Sequence, residues 1–188
     1  MNDVNLGIIG LGEIGKRHLQ NALRLRGVNL VAVADISRRS KRYAVKMGVK
    51  KVFSDYKELL QNPKVDCVII SLPTFLHSKC AIEAAHHEKH ILIEKPLARN
   101  TTEAKRIIPS AEQNAVKLMV GYPLRFSPSF IKLKNELKMG TLGDVQIAVA
   151  NHISTGPFFS RAEKLIPKPV PSWWFDKKLT GGGALIDL

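Results

Sequence analysis

The sequence has few cysteines, a deficit of acidic residues and no long apolar segment. Its two cysteines, Cys67 and Cys80, lack the spacing of a metal or redox motif and lie in apolar segments, which predicts buried free thiols. No apolar run approaches the roughly 20 residues that cross a bilayer, and the first residues lack a signal-peptide pattern. We therefore expect a cytosolic protein with no membrane association. A hydrophobic fraction of 45% in 188 residues is typical of a globular chain.

Acidic residues are outnumbered by basic ones, 16 against 29, and the net charge is +13. The sharpest excess is a run without acidic residues, formed by Arg38, Arg39, Lys41, Arg42, Lys46, Lys50 and Lys51. Such a run is usually a solvated helix face, although it can also attract phosphate from a cofactor or a nucleic acid. Because aromatic residues do not interleave with it and no recognised nucleic-acid motif is present, specific nucleic-acid binding is not expected.

Short Val/Ile-rich segments alternate with helical patterns through residues 1–121. This order predicts an α/β domain with a doubly wound parallel sheet covered by helices on both faces. After Tyr122 the pattern changes, which predicts the beginning of a second domain over 122–188. There a helix is predicted from Ser127–Pro128 to Gly140, with Phe130, Leu133 and Leu137 inward, and a strand is predicted near 145–153.

A glycine motif follows the first predicted strand and opens the first predicted helix, over 13–26, whose inner face would be formed by Ile14, Leu19, Ala22 and Leu23. Its residues are Gly10, Leu11, Gly12, Glu13, Ile14 and Gly15. In this strand–turn–helix context, G-x-G-x-x-G is typical of a dinucleotide site, in which bare helix N–H groups face a pyrophosphate. The alternative is a glycine-rich turn that binds nothing.

Asp35 ends the second predicted strand, 20 residues after Gly15. A carboxylate at that distance can accept hydrogen bonds from the adenosine ribose, which favours NAD over NADP. The residues beyond it favour NADP instead, since Ser37, Arg38 and Arg39 could hold its 2′-phosphate if Asp35 rotated out. NADP therefore stays possible. The alternative for Arg38 and Arg39 is a solvated helix face without a ligand.

Several candidate site residues come at the ends of the fourth and fifth predicted strands, where ligands of open parallel sheets bind. Leu72, Pro73 and His77 follow the fourth strand, and Glu94-Lys95-Pro96 follows the fifth. We expect Leu72, Pro73, His77, Glu94 and Lys95 to contribute to the cofactor site. Lys95 could bind a substrate hydroxyl or shuttle its proton, although a structural salt bridge also fits its position. In contrast, His86, His87 and His90 point to different faces and lack a completing ligand, so no metal site is predicted.

The chain resembles the Gfo/Idh/MocA family of oxidoreductases, which includes glucose–fructose oxidoreductase and inositol dehydrogenase. The resemblance rests on the glycine motif, Leu72-Pro73 with His77, Glu94-Lys95-Pro96, Gly121-Tyr122 with Arg125-Phe126, and the segment Gly181 to Asp187, in that order. It implies a dinucleotide-binding domain followed by an α/β (α+β) substrate domain, a sugar, cyclitol or nucleotide-sugar substrate, and a homo-oligomer in the full-length form.

The resemblance also implies roles for individual residues. Lys95 would act catalytically at the substrate, and Asp187 would orient a catalytic histidine four positions further on, beyond Leu188. Tyr122, Arg125, Trp173 and Trp174 would lie near the substrate, although core packing fits the tryptophans equally well. We therefore expect an incomplete enzyme that binds NAD(P) and turns over little or nothing. The alternative is a short dinucleotide-binding sensor or an inactive partner subunit.

Overall fold

Strands and helices alternate through the first 121 residues of the computed structural model, which describes residues 3–151, 158–161, 164–167 and 171–182. The helices are α1 (Glu13–Ala22), α2 (Arg38–Lys46), α3 (Tyr56–Leu60), α4 (Thr74–His86), α5 (Thr101–Gln113), α6 (Pro128–Lys138) and α7 (Lys177–Thr180). The strands are β1 (Val4–Ile9), β2 (Val28–Ala34), β3 (Lys51–Phe53), β4 (Cys67–Ile70), β5 (His90–Glu94), β6 (Leu118–Gly121), β7 (Phe158–Arg161) and β8 (Lys164–Pro167). Short 3-10 helices occupy Pro123–Phe126 and Ser172–Phe175.

Six parallel strands form one sheet in the order β3-β2-β1-β4-β5-β6. At the centre, Ile9 of β1 is in register with Ala34 of β2 on one side and with Ile70 of β4 on the other. The strand order reverses between β1 and β4, and a crevice opens at such a point beyond the carboxyl ends of the strands. The predicted doubly wound α/β fold is confirmed.

Two apolar clusters pack on the two faces of this sheet. Because successive side chains of a strand point to opposite faces, Ile9 enters one cluster and Ile8 the other. The cluster of Ile9 packs against α3, α4 and α5, and the cluster of Ile8 packs against α1 and α2 through Leu19 and Ala44. Helices therefore cover both faces, and the loops at the carboxyl edge connect strands and helices that are packed into the core.

The first helix is shorter than predicted and buries a different stripe. It ends at Ala22, whereas the sequence favoured a helix over 13–26. Gly15, Leu19 and Ala22 face the sheet at helical spacing, so Ile14 and Leu23 lie outside the stripe and are 42% and 44% exposed. The predicted burial of Leu19 and Ala22 is therefore confirmed, and that of Ile14 and Leu23 is wrong.

The described chain divides into two compact units. Residues up to Gly121 group with the segment that begins at Lys177, and Tyr122–Asp176 forms the other unit. Within the second unit, α6 lies close to its predicted position, but its side chains Phe130, Leu133 and Leu137 are exposed, not inward. The division of the chain at 121/122 stays a prediction.

The strand predicted near 145–153 is wrong over residues 145–151, which adopt no regular structure. Alternating apolar residues indicate a possible sheet face, but a strand also needs a hydrogen-bonded neighbour. Within the described ranges, 145–151 pairs with no other segment, and Ile147 and Val149 are exposed. Residues 152 and 153 lie outside the described part.

The two cysteines are free thiols, as predicted, but the predicted burial holds fully only for Cys80. Cys80 is buried and Cys67 is half-buried, and burial raises the pKa of Cys67 to about 11 and that of Cys80 further. Among the residues that the structure describes, no helix is long and apolar enough to cross a membrane, and no cluster of three His, Cys, Asp or Glu side chains could hold a metal ion.

The stripe of α1 predicts how truncation of its leucines affects stability. Leu19 is fully buried, so Leu19→Ala leaves a cavity against the sheet and lowers the free energy of unfolding by about 2–5 kcal/mol. Leu23→Ala, four residues further on, changes it by less than about 1 kcal/mol because that side chain is 44% exposed. Urea unfolding measures both values, and equal losses would contradict the assigned stripe.

Candidate functional site

The turn between β1 and α1 has a shape that only glycine permits. Gly10 has a φ of +89°, and a Cβ on it would meet the carbonyl oxygen of Ser71 at 2.5 Å. A Cβ on Gly15 would overlap the carbonyl oxygen of Gly10, so α1 packs directly against the turn. A Cβ on Gly12, in contrast, would have no neighbour within 4 Å. The first two glycines therefore close the turn, and Gly12 leaves an open space above it.

The open space at Gly12 lies at the amino end of α1. Gly12 is the N-cap of this ten-residue helix, and no side chain caps it. The first N–H groups of a helix have no partner within the helix, and the helix dipole makes this end attractive to anions. A bare turn with free space above these groups fits a pyrophosphate, since its oxygens could approach the backbone without a side chain between them.

Asp35 connects the turn to the end of β2. Its Oδ2 accepts a hydrogen bond from Leu11 N at 2.6 Å, and its Oδ1 accepts one from Ser37 N at 2.7 Å. The carbonyl oxygen of Leu11 accepts in turn from Ser40 Oγ at 3.2 Å. The carboxylate therefore has a fixed direction at the edge of the crevice, with lone pairs left for further donors.

Two serines at this turn were not identified from the sequence. Ser71 follows β4, the other neighbour of β1, and its Oγ donates to the carbonyl oxygen of Gly10 at 2.7 Å. Ser40 lies on α2 and is buried against Leu11. The strand order could have identified Ser71, because the residue after β4 must lie beside the residue after β1. No comparable sequence feature indicates Ser40.

Arg38 and Arg39 begin α2 and are exposed. Ser37 is the N-cap of this helix, and its Oγ accepts from Ser40 N at 3.4 Å. The basic run therefore starts shortly after Asp35, at the same end of the crevice. Its position fits both interpretations made from the sequence, a solvated helix face and a reserve of positive charge for phosphate.

Lys95 lies directly after β5, beside a hydrogen-bonded glutamate. Glu94, the last residue of β5, accepts from His18 Nε2 at 2.7 Å through Oε1 and from Lys95 N at 3.2 Å through Oε2. Burial raises the pKa of Glu94, but the hydrogen bond and charge of His18, together with Lys95, outweigh burial and leave the pKa below its ordinary value. The turn that carries Lys95 is therefore tied to α1.

The neighbouring strand β6 presents a glycine to this pair. Glu94 is in register with Gly121 on β6, and a Cβ on Gly121 would lie 3.4 Å from Glu94 Oε1. From the sequence alone, the simplest interpretation of His18 is a packed or surface histidine of the first helix. The structure instead brings it to the end of β5, a contact between residues 76 positions apart that no local pattern indicates.

His77 and Leu72-Pro73, predicted to bind cofactor, lie at the end of β4. Pro73 is the N-cap of α4, and Leu72 packs against the apolar core. His77 is buried, and its Nε2 and Nδ1 each lie 2.8 Å from a backbone carbonyl oxygen, those of Leu72 and Pro96 respectively. Both polar atoms of this side chain are therefore engaged within the protein.

Four residues predicted near the substrate belong to the second unit. Tyr122 and Arg125 are exposed at the 3-10 helix Pro123–Phe126. Trp173 and Trp174 are half-buried, and the Trp174 ring meets the Phe175 ring edge-on with 5.4 Å between centroids. Their predicted contact with substrate stays a prediction. Asp187 lies outside the described residues.

The glycine segment that precedes Asp187 returns to the first unit. The Arg99 guanidinium bonds to the Glu103 carboxylate and donates from Nη1 to the carbonyl oxygen of Lys178 at 3.1 Å. Gly181 has a φ of +89°, and a Cβ there would overlap the Arg99 backbone. The close approach therefore requires glycine, and it places α7 beside the loop that follows Lys95.

A glycine turn at the reversal of strand order, with an acidic residue ending the next strand, defines a dinucleotide-binding domain. The profile of the oxidoreductase family with an NAD-binding Rossmann fold, Gfo/Idh/MocA, matches residues 4–122. The chain belongs to this family. The fold, the oxidoreductase class and the NAD(P)-binding domain predicted from the sequence are thereby confirmed.

Individual relatives agree with this membership. The chain is 32% identical to myo-inositol 2-dehydrogenase of Thermotoga maritima over 98% of its own length and 51% of the relative. It is 36% identical to the NADP(+)-dependent scyllo-inositol 2-dehydrogenase IolU of Bacillus subtilis, over 74% of the chain and 43% of the relative. The chain thus spans about half the length of the curated relatives it matches.

A solved structure shows the same fold. Scyllo-inositol dehydrogenase from Lactobacillus casei, with bound NAD(H) and scyllo-inositol, superposes with a TM-score of 0.73 and 29% identity. The match covers 76% of this chain and 43% of that one.

The pair of His18 and Glu94 predicts a pH-dependent contribution to stability. A carboxyl whose pKa is lower in the folded state stabilises above its unfolded pKa, and this stabilisation is lost as the pH falls through the folded pKa. At pH 7, Glu94→Gln should lower the free energy of unfolding by about 1 kcal/mol. Thermal unfolding between pH 7 and pH 3 measures the difference, which should shrink as the pH falls.

Glu112→Gln is the matched control, since Glu112 is exposed on α5 and takes part in no described ion pair. It should leave the stability profile unchanged within about 0.5 kcal/mol. A difference between Glu94→Gln and the unaltered chain that stayed constant with pH would contradict the assigned hydrogen bond.

Proposed function

We propose that this chain provides the cofactor-binding half of an NAD(P)-dependent dehydrogenase that acts on a hydroxyl group of a sugar-like molecule. The observation that carries the proposal is the β1–α1 turn, which is closed by Gly10 and Gly15 and open at Gly12. When bound, the nicotinamide would supply the hydride acceptor or donor. The chain's own residues would bind, orient and hold protons around it.

The two ends of the crevice would bind different parts of the dinucleotide. The backbone N–H groups at Gly12, Glu13 and Ile14 would face the pyrophosphate, and Asp35 would accept hydrogen bonds from the adenosine ribose hydroxyls. Because Asp35 lies on the β2 side of the turn, the rest of the cofactor would extend to the β4 and β5 side, toward Leu72-Pro73 and Lys95.

The hydrogen bonds of Asp35 support NAD as the preferred cofactor. A 2′-phosphate on the adenosine ribose would lie against this carboxylate and be repelled. Rotating the carboxylate away, as NADP binding through Arg38 would require, breaks its hydrogen bonds to Leu11 N and Ser37 N. Each such bond to a charged group is worth about 1.5–3 kcal/mol, which weighs against NADP.

Lys95 would act at the substrate. Its half-buried position after β5 supports a role in holding or polarising the reacting hydroxyl, with Glu94 and His18 fixing the backbone on which it stands. Asp187 would orient an acid/base histidine, and Tyr122, Arg125, Trp173 and Trp174 would line the substrate site. These five roles rest on the family resemblance.

The family also supports proposals about the whole protein. Relatives are named for inositols, which favours a cyclitol or a related sugar as substrate, and a homo-oligomer would form in the full-length protein. The free thiols Cys67 and Cys80 fit a reducing compartment and support a cytoplasmic location.

Gly12→Ala tests the cofactor site without disturbing the fold. The backbone at Gly12 is extended, with a φ of −64°, and a Cβ there meets no atom of the chain, so stability should change by less than about 0.5 kcal/mol. The methyl group would enter the space assigned to the pyrophosphate, and NADH affinity should fall by about tenfold or more. Titration of the chain with NADH, followed by nicotinamide fluorescence, measures this loss.

A second Gly→Ala change at Gly48 is unsuitable as a control, because Gly48 has a φ of +90°, which strains an alanine. The control is therefore Ser129→Ala, at an exposed position of α6. It should leave both stability and NADH affinity unchanged. Equal NADH affinity of the unaltered chain and Gly12→Ala, or no binding by the unaltered chain, would refute the proposed site.

Asp35→Ser tests the choice between the two cofactors. The change removes both the acceptor for the ribose hydroxyls and the repulsion of a 2′-phosphate, while Arg38 remains nearby. The ratio of NADPH to NADH affinity should therefore rise by about tenfold or more. Asp55→Asn is the control, since Asp55 also accepts a backbone hydrogen bond, from Lys57 N at 2.9 Å, but caps α3. An unchanged ratio in Asp35→Ser would contradict the role of Asp35.

A further inference from the structure

One buried side chain, His77, joins the two turns on the β4 and β5 side of the crevice. Its Nε2 lies 2.8 Å from the carbonyl oxygen of Leu72, in the turn after β4, and its Nδ1 lies 2.8 Å from that of Pro96, in the turn after β5. The residue is 1% exposed. It therefore lies beneath the crevice and links the backbone of Leu72 to the backbone that carries Lys95.

The protonation state of the imidazole ring decides how many hydrogen bonds it donates to these two turns. Carbonyl oxygens only accept, so a doubly protonated ring donates to both Leu72 and Pro96, whereas a neutral ring donates to one. Burial lowers the pKa of His77, and the carbonyl oxygens of Pro96, Leu72 and Leu97, with the charge of Glu94, oppose the effect of burial. In each protonation state the ring lies between the same two turns, and its loss would leave at least one of the two carbonyl oxygens without its donor.

The strand order decides which part of a ligand these turns face. Asp35 ends β2, on one side of β1, and Leu72 and Lys95 follow β4 and β5, on the other side. A dinucleotide whose adenosine ribose is held by Asp35 and whose pyrophosphate lies at Gly12 therefore directs its nicotinamide half toward the turns that His77 joins.

We propose that His77 is a positioning residue that sets the turns after β4 and β5 for the nicotinamide half of the cofactor, without touching the cofactor itself. This inference rests on the proposed function and goes beyond the direct cofactor contact predicted from the sequence. The two ring nitrogens face different turns, since Nδ1 lies against the turn of Lys95 and Nε2 lies against the turn of Leu72.

The test compares NADH with ADP-ribose, which contains the adenosine, the pyrophosphate and the second ribose but lacks the nicotinamide ring. Affinities of the 188-residue chain are measured by calorimetry for His77→Gln and His77→Asn. A glutamine amide can take the place of Nε2 and an asparagine amide that of Nδ1, so each variant keeps an N–H donor at one of the two positions. His86→Asn, at an exposed position on the same helix, is the matched control.

We expect His77→Gln, which loses the contact with Pro96 O, to bind NADH about tenfold more weakly while its ADP-ribose affinity stays within about twofold. His77→Asn should recover part of the loss, and His86→Asn should match the unaltered chain. Retained ADP-ribose affinity also shows that a variant is folded. If His77→Gln does not fold, the affinities of His77→Asn for NADH and ADP-ribose are compared instead.

Two results would overturn the inference. Equal losses for NADH and ADP-ribose in both variants would show a structural role in the whole domain, and undiminished NADH binding would show no role. If the unaltered chain bound neither compound, the proposed function would fail and this inference with it. If the unaltered chain bound both and only the His77 variants behaved unexpectedly, the proposed function would stand without it.

Discussion

The candidate site depends on the direct contact of backbone with backbone around the first turn. Gly10 lies against the carbonyl oxygen of Ser71, and Gly15 lies against that of Gly10, so α1 starts as close to the sheet as two peptide chains allow. No side chain could be inserted in either contact. The amino end of α1, the space above Gly12 and the carboxylate of Asp35 take their positions from this packing, because Asp35 bonds to the N–H group of Leu11 between the two contacts.

Hydrogen bonds to the backbone then extend this order along the carboxyl edge of the sheet. Asp35 and Ser71 hold the first turn from the two neighbouring strands, and His18 connects α1 to Glu94 at the end of β5. His77 joins the next two turns. These polar groups thus hold the loops at the carboxyl edge of the sheet in position.

The sequence predicts the fold and the place of the site because both follow local rules. Apolar segments such as Cys67–Ile70 identify strands by composition, and the glycine spacing identifies the turn. The partners of Glu94 could not be predicted, since His18 reaches it only after the sheet has formed. Ile14 was wrongly predicted to be buried because a 3.6-residue period is compatible with more than one buried stripe. Residues 145–151 were wrongly predicted to form a strand because alternating apolar residues indicate a sheet face but not a pairing partner.

The contact of Arg99 with the carbonyl oxygen of Lys178 makes the first unit discontinuous in sequence. A ribosome releases β1 to β6 well before it has made α7, so the nascent sheet must wait for the whole of Tyr122–Asp176 before this last piece can dock. An excised domain that stops at Gly121 would likewise expose the Arg99 loop, and a shortened expression fragment keeps that contact only if α7 is joined back to it by a linker.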